Sequence, residues 1–514
     1  MILSTAHTQE TFSRRYDFGY SAVVFNGLAV RGDSIFVSGI LGDSIFPYRT
    51  GSFLAIMDSS GDLLHLNAKV EEQSTFELWG NALEDTGDGF VAVGYAVDTA
   101  WNGLVVKYDD EGETIWDKRF PGFWANHDFF RFTDVLADDD KVYVAAIDHR
   151  NDIPPYESKS ILAILSQQGE LLSYNTYGFM PWTNHIECIV KQSENEIILG
   201  GSRNKFYMQN QDFDTQCQIY GVDSTGEKLW SWRSPSNEKY KYANSIVPTP
   251  DGGLIVASAL GTLIWVNNSE DEIYWECIIF KLNSEHEQEW VQPFRMGIPT
   301  EFTEFNKVIA CPDGSGYLAA GVEGVEYIED GNINEENAWD IGGYLGKVSP
   351  QGDSLWDRLI LHPNLPTFSE YHEFYDLKPA PDGGYLLIGE SGSPGTEPSQ
   401  QGWLVKVDEW GCLVPGCHLL DSAEEVKQEA GIPLLLYPNP ATHILNVYLG
   451  PALLPDDARL RIVGMDGKVY QSRPAASIAA TYMLDVEGLP AGSYVLQVFS
   501  GVEGVVGSEL FVKQ

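Results

Sequence analysis

Residues 80–94, GNALEDTGDGFVAVG, and residues 103–116, GLVVKYDDEGETIW, decide the fold. In the first stretch a short apolar run meets a turn rich in Gly and Asp, and a second apolar run follows and ends on small residues. In the second, an apolar run leads to a turn in which Asp109 and Gly112 stand three apart. An Asp at that place accepts its own downstream amides, and the Gly accepts a positive φ. Both stretches therefore read as hairpins, and together they make four strands.

The same pair recurs along the chain. The first hairpin returns at 25–39, 133–146, 186–201, 243–258, 305–321 and 375–390, and the second at 53–66, 161–174, 218–230, 277–290, 344–356 and 403–416. Four of the second hairpins carry the Asp and Gly three apart: Asp58 and Gly61, Asp109 and Gly112, Asp223 and Gly226, Asp408 and Gly411. Seven copies of a four-stranded unit predict a seven-bladed β-propeller over residues 11–419. The last copy lacks a regular fourth strand, and 11-TFSRRYDFG reads as the strand that completes it and closes the ring. Trp116, Trp230, Trp290 and Trp356 recur at one place in the fourth strand and are expected to pack within or between blades.

Composition bounds the function. The chain has 514 residues with 74 Asp plus Glu against 32 Lys plus Arg, a formal charge of −42. Such a surface repels a phosphate backbone, so nucleic acid is not an expected partner. Nowhere does an apolar run approach the 18 residues of a membrane span. Residues 1–10 read as the remnant of a signal peptide or as a frayed terminus. Six cysteines are too few to staple a chain of this size. Cys188, Cys277 and Cys311 lie in apolar strand patterns and are expected to be buried, whereas Cys412 and Cys417 flank a short turn and suit a local disulfide.

The turns after the first and third strands of each unit are short, so the face formed by the longer connections after the second and fourth is the expected functional one. Those connections bring Trp124, Trp182, Trp265, Trp275 and Trp339 among acidic residues, a composition suited to glycan or peptide ligands. One polar residue per unit precedes the apolar run of the first strand: Asn26, Asn81, Asp134, Glu187, Asn244, Asn306 and Asp376. Near the axis they predict a polar ring at the mouth of a central channel. Its carboxylates, Asp134, Glu187 and Asp376, are the candidate ligands for an oxygen-loving cation such as calcium. They are also the first place to seek the paired carboxylates of a hydrolase. The chain has no HExxH, no cysteine-pair zinc pattern, no nucleophile elbow, no phosphate loop and no dinucleotide fingerprint, so no catalytic residue is assigned.

The pattern seen in 223-DSTGEKLW and 109-DDEGETIW resembles the repeats of quinoprotein-like and kelch-like propellers. The resemblance covers the structural repeat alone and implies no cofactor.

After a polar stretch at 420–432, residues 433–514 alternate apolar positions with Gly, Pro and Asp turns, which predicts a small immunoglobulin-like antiparallel β-sandwich. This segment resembles the type A C-terminal sorting domain of the type IX secretion system of Bacteroidota. The resemblance rests on Tyr437-Pro438-Asn439-Pro440, on the turn from Gly464 to Gly467 with Lys468 and Val469, on Leu489-Pro490-Ala491-Gly492-Ser493-Tyr494, and on Lys513 in the final strand. It implies export through that machinery and a secreted protein or one attached to the outer cell surface. Three readings of function stand together at this point: a binding propeller for glycan, peptide or matrix ligands, an extracellular hydrolase, and a purely structural surface protein.

Overall fold

The computed structural model describes residues 10–513 apart from 44–48, 71–74, 79–82, 98–99, 124–128, 139, 151–156, 179–182, 208–211, 236–238, 241, 267–269, 295–302, 326–339, 363–370, 393–397, 415–416, 419–433, 450–456, 465–467, 476–480 and 501–503. Blade three shows the unit in its plainest form. Phe129–Ala137, Lys141–Arg150, Glu157–Ser166 and Leu171–Tyr177 pair antiparallel in chain order. The first strand of each unit touches the first strands of the units on either side, and these contacts run in cyclic order through all seven. First strands therefore line the axis and fourth strands form the rim.

Closure needs the N-terminus. Phe12–Tyr16 pairs antiparallel with Gln400–Val407, placing Phe12 opposite Lys406 and Tyr16 opposite Gly402. The Trp403 indole N–H donates to Ser13 Oγ at 2.9 Å, and the Thr11 hydroxyl donates to the Leu413 carbonyl at 2.6 Å. One blade thus holds both ends of the propeller chain, and the ring cannot open without breaking that sheet.

The apolar core is divided into interblade layers. Val91, Val93 and Val105 of blade two pack against Phe130, Phe132, Val142 and Val144 of blade three. Tyr143, Leu162 and Ile164 on the opposite side of blade three pack with Ile186, Leu199 and Tyr220 of blade four. Inner strands buried on both sides read as nearly unbroken apolar runs, such as Ile161–Leu165, while rim strands such as Leu171–Tyr177 are largely exposed.

The recurrent tryptophans join blades, as their spacing suggested. A Cβ on Gly352 would lie 2.5 Å from the Trp290 ring, and one on Gly411 would lie 2.7 Å from the Trp356 ring, each glycine being on the turn of the next blade. Both glycines have positive φ, so the turn needs glycine for its backbone and for the ring beneath it. In blade five His286 takes the place of the turn glycine at φ 61°, and Trp230 stacks on its ring at 3.6 Å between centroids.

Cys188, Cys277 and Cys311 are buried, and Cys412 and Cys417 form the expected disulfide with Cα atoms 5.6 Å apart. The tail forms a sheet of Leu434–Tyr437, Ile444–Leu449 and Thr481–Asp485, and a second sheet of Val469–Pro474, Arg459–Gly464, Gly492–Ser500 and Gly504–Lys513. Leu445, Val447, Leu460, Ile462, Leu489, Tyr494, Leu496 and Phe511 fill the space between them. The tail motifs have structural duties. Asn439 accepts from Val512 N at 2.8 Å and donates to the Leu510 carbonyl at 3.1 Å, which ties the Tyr437–Pro440 segment to the last strand. Tyr494 donates to the Pro490 carbonyl at 2.8 Å, closing the turn that Pro490 and Gly492 form.

Candidate functional site at the channel mouth

A β-bulge sets the chemistry of the channel. In five blades the pairing of the first strand with the second skips one residue, and the skipped residues are Asn26, Thr133, Glu187, Asn306 and Tyr375. The residues that follow them, Gly27, Asp134, Cys188, Lys307 and Asp376, occupy the next position in the ladder. The single ring expected from sequence is therefore two layers. Asn26, Glu187 and Asn306 are at the bulge, and Asp134 and Asp376 are one residue beyond it. Asn244 precedes the first strand of blade five, and its N–H donates to the Ala257 carbonyl at 3.1 Å. Asn81 lies outside the described residues.

Three bulge side chains and Asn244 clip blades together. Asn26 donates to the Leu78 carbonyl at 2.6 Å, Thr133 to that of Ile186 at 2.7 Å, Asn244 to that of Phe305 at 3.0 Å and Asn306 to that of Phe374 at 3.0 Å. In each case the acceptor belongs to the next blade. A satisfied buried carbonyl is the physical return, since an orphaned one costs about 1–3 kcal/mol.

One layer beyond the bulge the channel has a charged waist. Asp134 accepts from Ile189 N of the next blade and from Val135 N, both at 2.9 Å. Asp376 accepts from Leu28 N at 2.9 Å and Leu377 N at 2.8 Å, and Lys307 Nζ lies 3.5 Å from its Oδ1. Burial pushes the Asp134 carboxyl up to about 7, against the pull of Lys307 and of its two amide donors. Burial works against the Lys307 charge, and Asp376 and Asp134 outweigh it, so the ammonium is held above its ordinary pKa. Glu84 is raised by burial, while Lys378 and Lys307 oppose that rise. Asp134, Glu187 and Asp376 are not gathered into one group, and the cation that Asp376 holds is Lys307. Among the described residues the one trio with metal-ligand chemistry is Asp408, Cys412 and His418. There Cys412 is in the disulfide, and Asp408 accepts from the amides of Trp410 and Cys412.

On the long-loop side of the bulge the first strands present a different set of residues. Two positions before the bulge stand Arg131, His185, Glu304 and Glu373, and Tyr242 stands two before Asn244. All five are half-buried. Glu373 accepts from Asn306 Nδ2 at 3.0 Å and from the Tyr375 hydroxyl at 3.1 Å, and the same hydroxyl reaches Glu390 at 2.5 Å. Glu390 also accepts from Gln400. Asn244 reaches Glu304 at 3.4 Å, and Arg131 lies 3.7 Å from Glu187. His185 faces Tyr242 with parallel rings 6.5 Å apart and His149 at the same separation. Burial and the neighbouring carboxylates Glu390 and Glu304 raise Glu373 to about 8, while its two hydrogen bonds act the other way. Burial raises Glu390 and Glu187, with Tyr375 opposing the first rise and Arg131 the second. Burial, with His149 and Arg131 nearby, lowers His185 to about 4, so it is neutral at pH 7.

The mouth is thus an arc. Arg131, His185, Glu187 and Tyr242 occupy blades three to five, and Glu304, Glu373, Tyr375 and Glu390 occupy blades six and seven. It offers carboxyl groups, of which Glu373 is raised to about 8, with amide donors, phenols and the Arg131 guanidinium. Sequence reading found Glu187, Asn244 and Asn306 here and missed the rest. The signal available was the residue two places before each bulge, legible only once the bulge is known. Of the candidate ligand-binding tryptophans, Trp275 is half-buried on the third strand of blade five, opposite Gly261. Trp124, Trp182, Trp339 and the side chain of Trp265 lie outside the described residues.

Residues 435–513 match the family described as "Secretion system C-terminal sorting domain". No curated protein matches the sequence. Among solved structures, a polysaccharide lyase that acts as an ulvan lyase is similar at 11% identity, covering 80% of this chain and 99% of its own, with a TM-score of 0.43. Hydrazine synthase of Kuenenia stuttgartiensis is similar at 9% identity, 79% and 99% coverage and a TM-score of 0.41. A variant of the Synechocystis apocarotenoid oxygenase is similar at 13% identity, 79% and 95% coverage and a TM-score of 0.38. The sorting tail marks the protein as secreted or attached to the outer cell surface by the type IX secretion machinery. Among the described residues no helix is long and apolar enough to cross a membrane.

Proposed function

We propose that this exported propeller binds a glycan at the mouth of its channel, on the face of the long connections. The observation that carries the reading is the hydrogen-bonded set of the half-buried Glu373, Tyr375 and Asn306 with the buried Glu390, beside Glu304 and Tyr242. Sugar hydroxyls donate and accept in pairs, and this set presents carboxyl acceptors, an amide donor and a phenol within one funnel. Tyr242 and the half-buried Trp275 add ring faces of the kind that pack on a pyranose. The test is glycan-array screening of the secreted protein followed by calorimetry on the strongest hit. Glu373→Gln and Tyr375→Phe should each weaken that hit about tenfold, as expected for one lost hydrogen bond. Unchanged affinity in both variants would remove the mouth from the binding site.

A second reading, glycoside hydrolysis, is favoured by one specific feature. Glu373 keeps its proton near neutral pH while standing beside further carboxyl groups, which is the condition for a general acid with a carboxylate partner. Release of new reducing ends from the bound glycan, lost in Glu373→Gln, supports it. Binding without any such release refutes it.

A further inference from the structure

We infer that the cleft between blades three and four is a second binding site, which takes an oxyanion carried on a sugar, as the carboxylate of a uronic acid or a sulfate ester. The cleft has a volume of about 420 Å³ and shares no lining residue with the channel mouth. Its floor is polar and buried: Asn184 is 3%, Gln218 4% and Arg203 9% exposed. Tyr177 and Tyr220 wall it with rings 5.3 Å apart. Lys228, Ser231 and Arg233 stand exposed at its rim.

Charge is the reason this cleft stands out. Arg203, Lys228 and Arg233 are three of its thirteen lining residues, against one acid, Glu227, in a chain with 32 basic and 74 acidic residues in 514. A protein at −42 repels polyanions, so a local excess of cations around a concave floor is the feature that would let it hold one. Both guanidiniums lie close enough to the Tyr220 hydroxyl to oppose the rise that burial imposes on it. Both also line the cleft, Arg203 from its buried floor and Arg233 from its exposed rim. Planar guanidiniums suit carboxylate and sulfate oxygens through paired N–H donors.

The walls are fixed before any ligand arrives. Tyr177 donates to the Gly226 carbonyl at 2.7 Å and Asn175 donates to the Thr225 carbonyl at 2.6 Å, pinning the rim strand of blade three to the turn of blade four. Gln218 donates to the Trp232 carbonyl at 2.7 Å and is held on the floor. A rigid, preformed cleft spends little binding energy on ordering side chains.

The experiment is calorimetry of the full chain at 150 mM salt with four probes: oligogalacturonate, a sulfated galactan oligosaccharide, a neutral galactan oligosaccharide and inorganic sulfate. One of the two acidic oligosaccharides should bind, and the neutral one and free sulfate should bind at least about tenfold more weakly. Arg233→Gln and Lys228→Gln, both at the exposed rim where folding is not at stake, should each weaken binding about tenfold. Arg203→Gln should weaken it further. Glu373→Gln should leave it unchanged, which separates this site from the channel mouth. The inference is overturned if no acidic oligosaccharide binds, if the rim variants bind as the parent does, or if free sulfate binds as tightly as the sugar.

Discussion

The waist and the mouth of the channel use neighbouring positions on the same strands and differ in what surrounds their acids. At the waist Asp134 and Asp376 are saturated by amides of their own and the adjacent blade, and Lys307 sets one positive charge against them. At the mouth, Glu373 and Glu390 share one phenol, and Glu304 adds like charge beside Glu373. At the waist Lys307 opposes the rise that burial imposes on Asp134, which is held at about 7, whereas at the mouth burial and the carboxylates Glu390 and Glu304 act together and raise Glu373 to about 8. Whether a buried acid finds a counter-charge is thus the difference between the two layers.

Breaking that contrast begins at Lys307. Lys307→Met should cost about 3–5 kcal/mol, because Asp376 and Asp134 would lose the cation that compensates them. Urea denaturation reads this directly, and a variant as stable as the parent would mean that the waist does not rely on its ion pair. Tyr375→Phe at the mouth should cost less, about 1–2 kcal/mol, since it removes a hydroxyl shared by two carboxyls but no counter-charge. If it costs as much as Lys307→Met, the two layers are equally structural and the contrast fails.

Glu373→Gln sharpens the comparison through pH. The folded carboxyl titrates at about 8 against an ordinary 4.5, so the folded state holds a proton that the unfolded chain releases. The stability this group confers relative to Gln is fully present below pH 4.5 and is lost as pH rises through 8. Thermal unfolding of parent and variant should therefore diverge between pH 5 and 8 and run parallel above about pH 9. Parallel curves over the whole range would place the Glu373 carboxyl at its ordinary value.

The opposite charge of the blade three to blade four cleft extends the comparison. Acidic groups gather at the axis and basic ones at one interblade groove, so the two proposed sites would take different parts of a polysaccharide. Both lie on a chain whose tail sends it to the cell exterior.

Much of this was readable before any coordinate. The Asp and Gly three apart in the turns, the apolar runs on either side and the seven recurrences determined the hairpins and the blade count. Turn chemistry and alternation act within a dozen residues, and repetition multiplies the signal. The unmatched fourth strand of the last unit pointed to Phe12–Tyr16, and Tyr437 to Pro440 with Leu489 to Tyr494 identified the sorting tail. The site was far less legible. A one-residue bulge moves Asp134 and Asp376 out of register with Asn26, and nothing in the identity of those residues announces it. Lys307 and Asp376 are 69 positions apart and meet only because blades six and seven pack together, while Arg203 and Arg233, thirty apart, are brought to one cleft by strand pairing within blade four. Sequence alone determined the repeating unit, its number and the destination of the protein, because those rest on local backbone preferences and a contiguous motif. Only the tertiary structure decided which charges meet, because side-chain alternation shifts at each bulge and pairings such as Lys307 with Asp376 or Asn306 with Glu373 join residues from different blades.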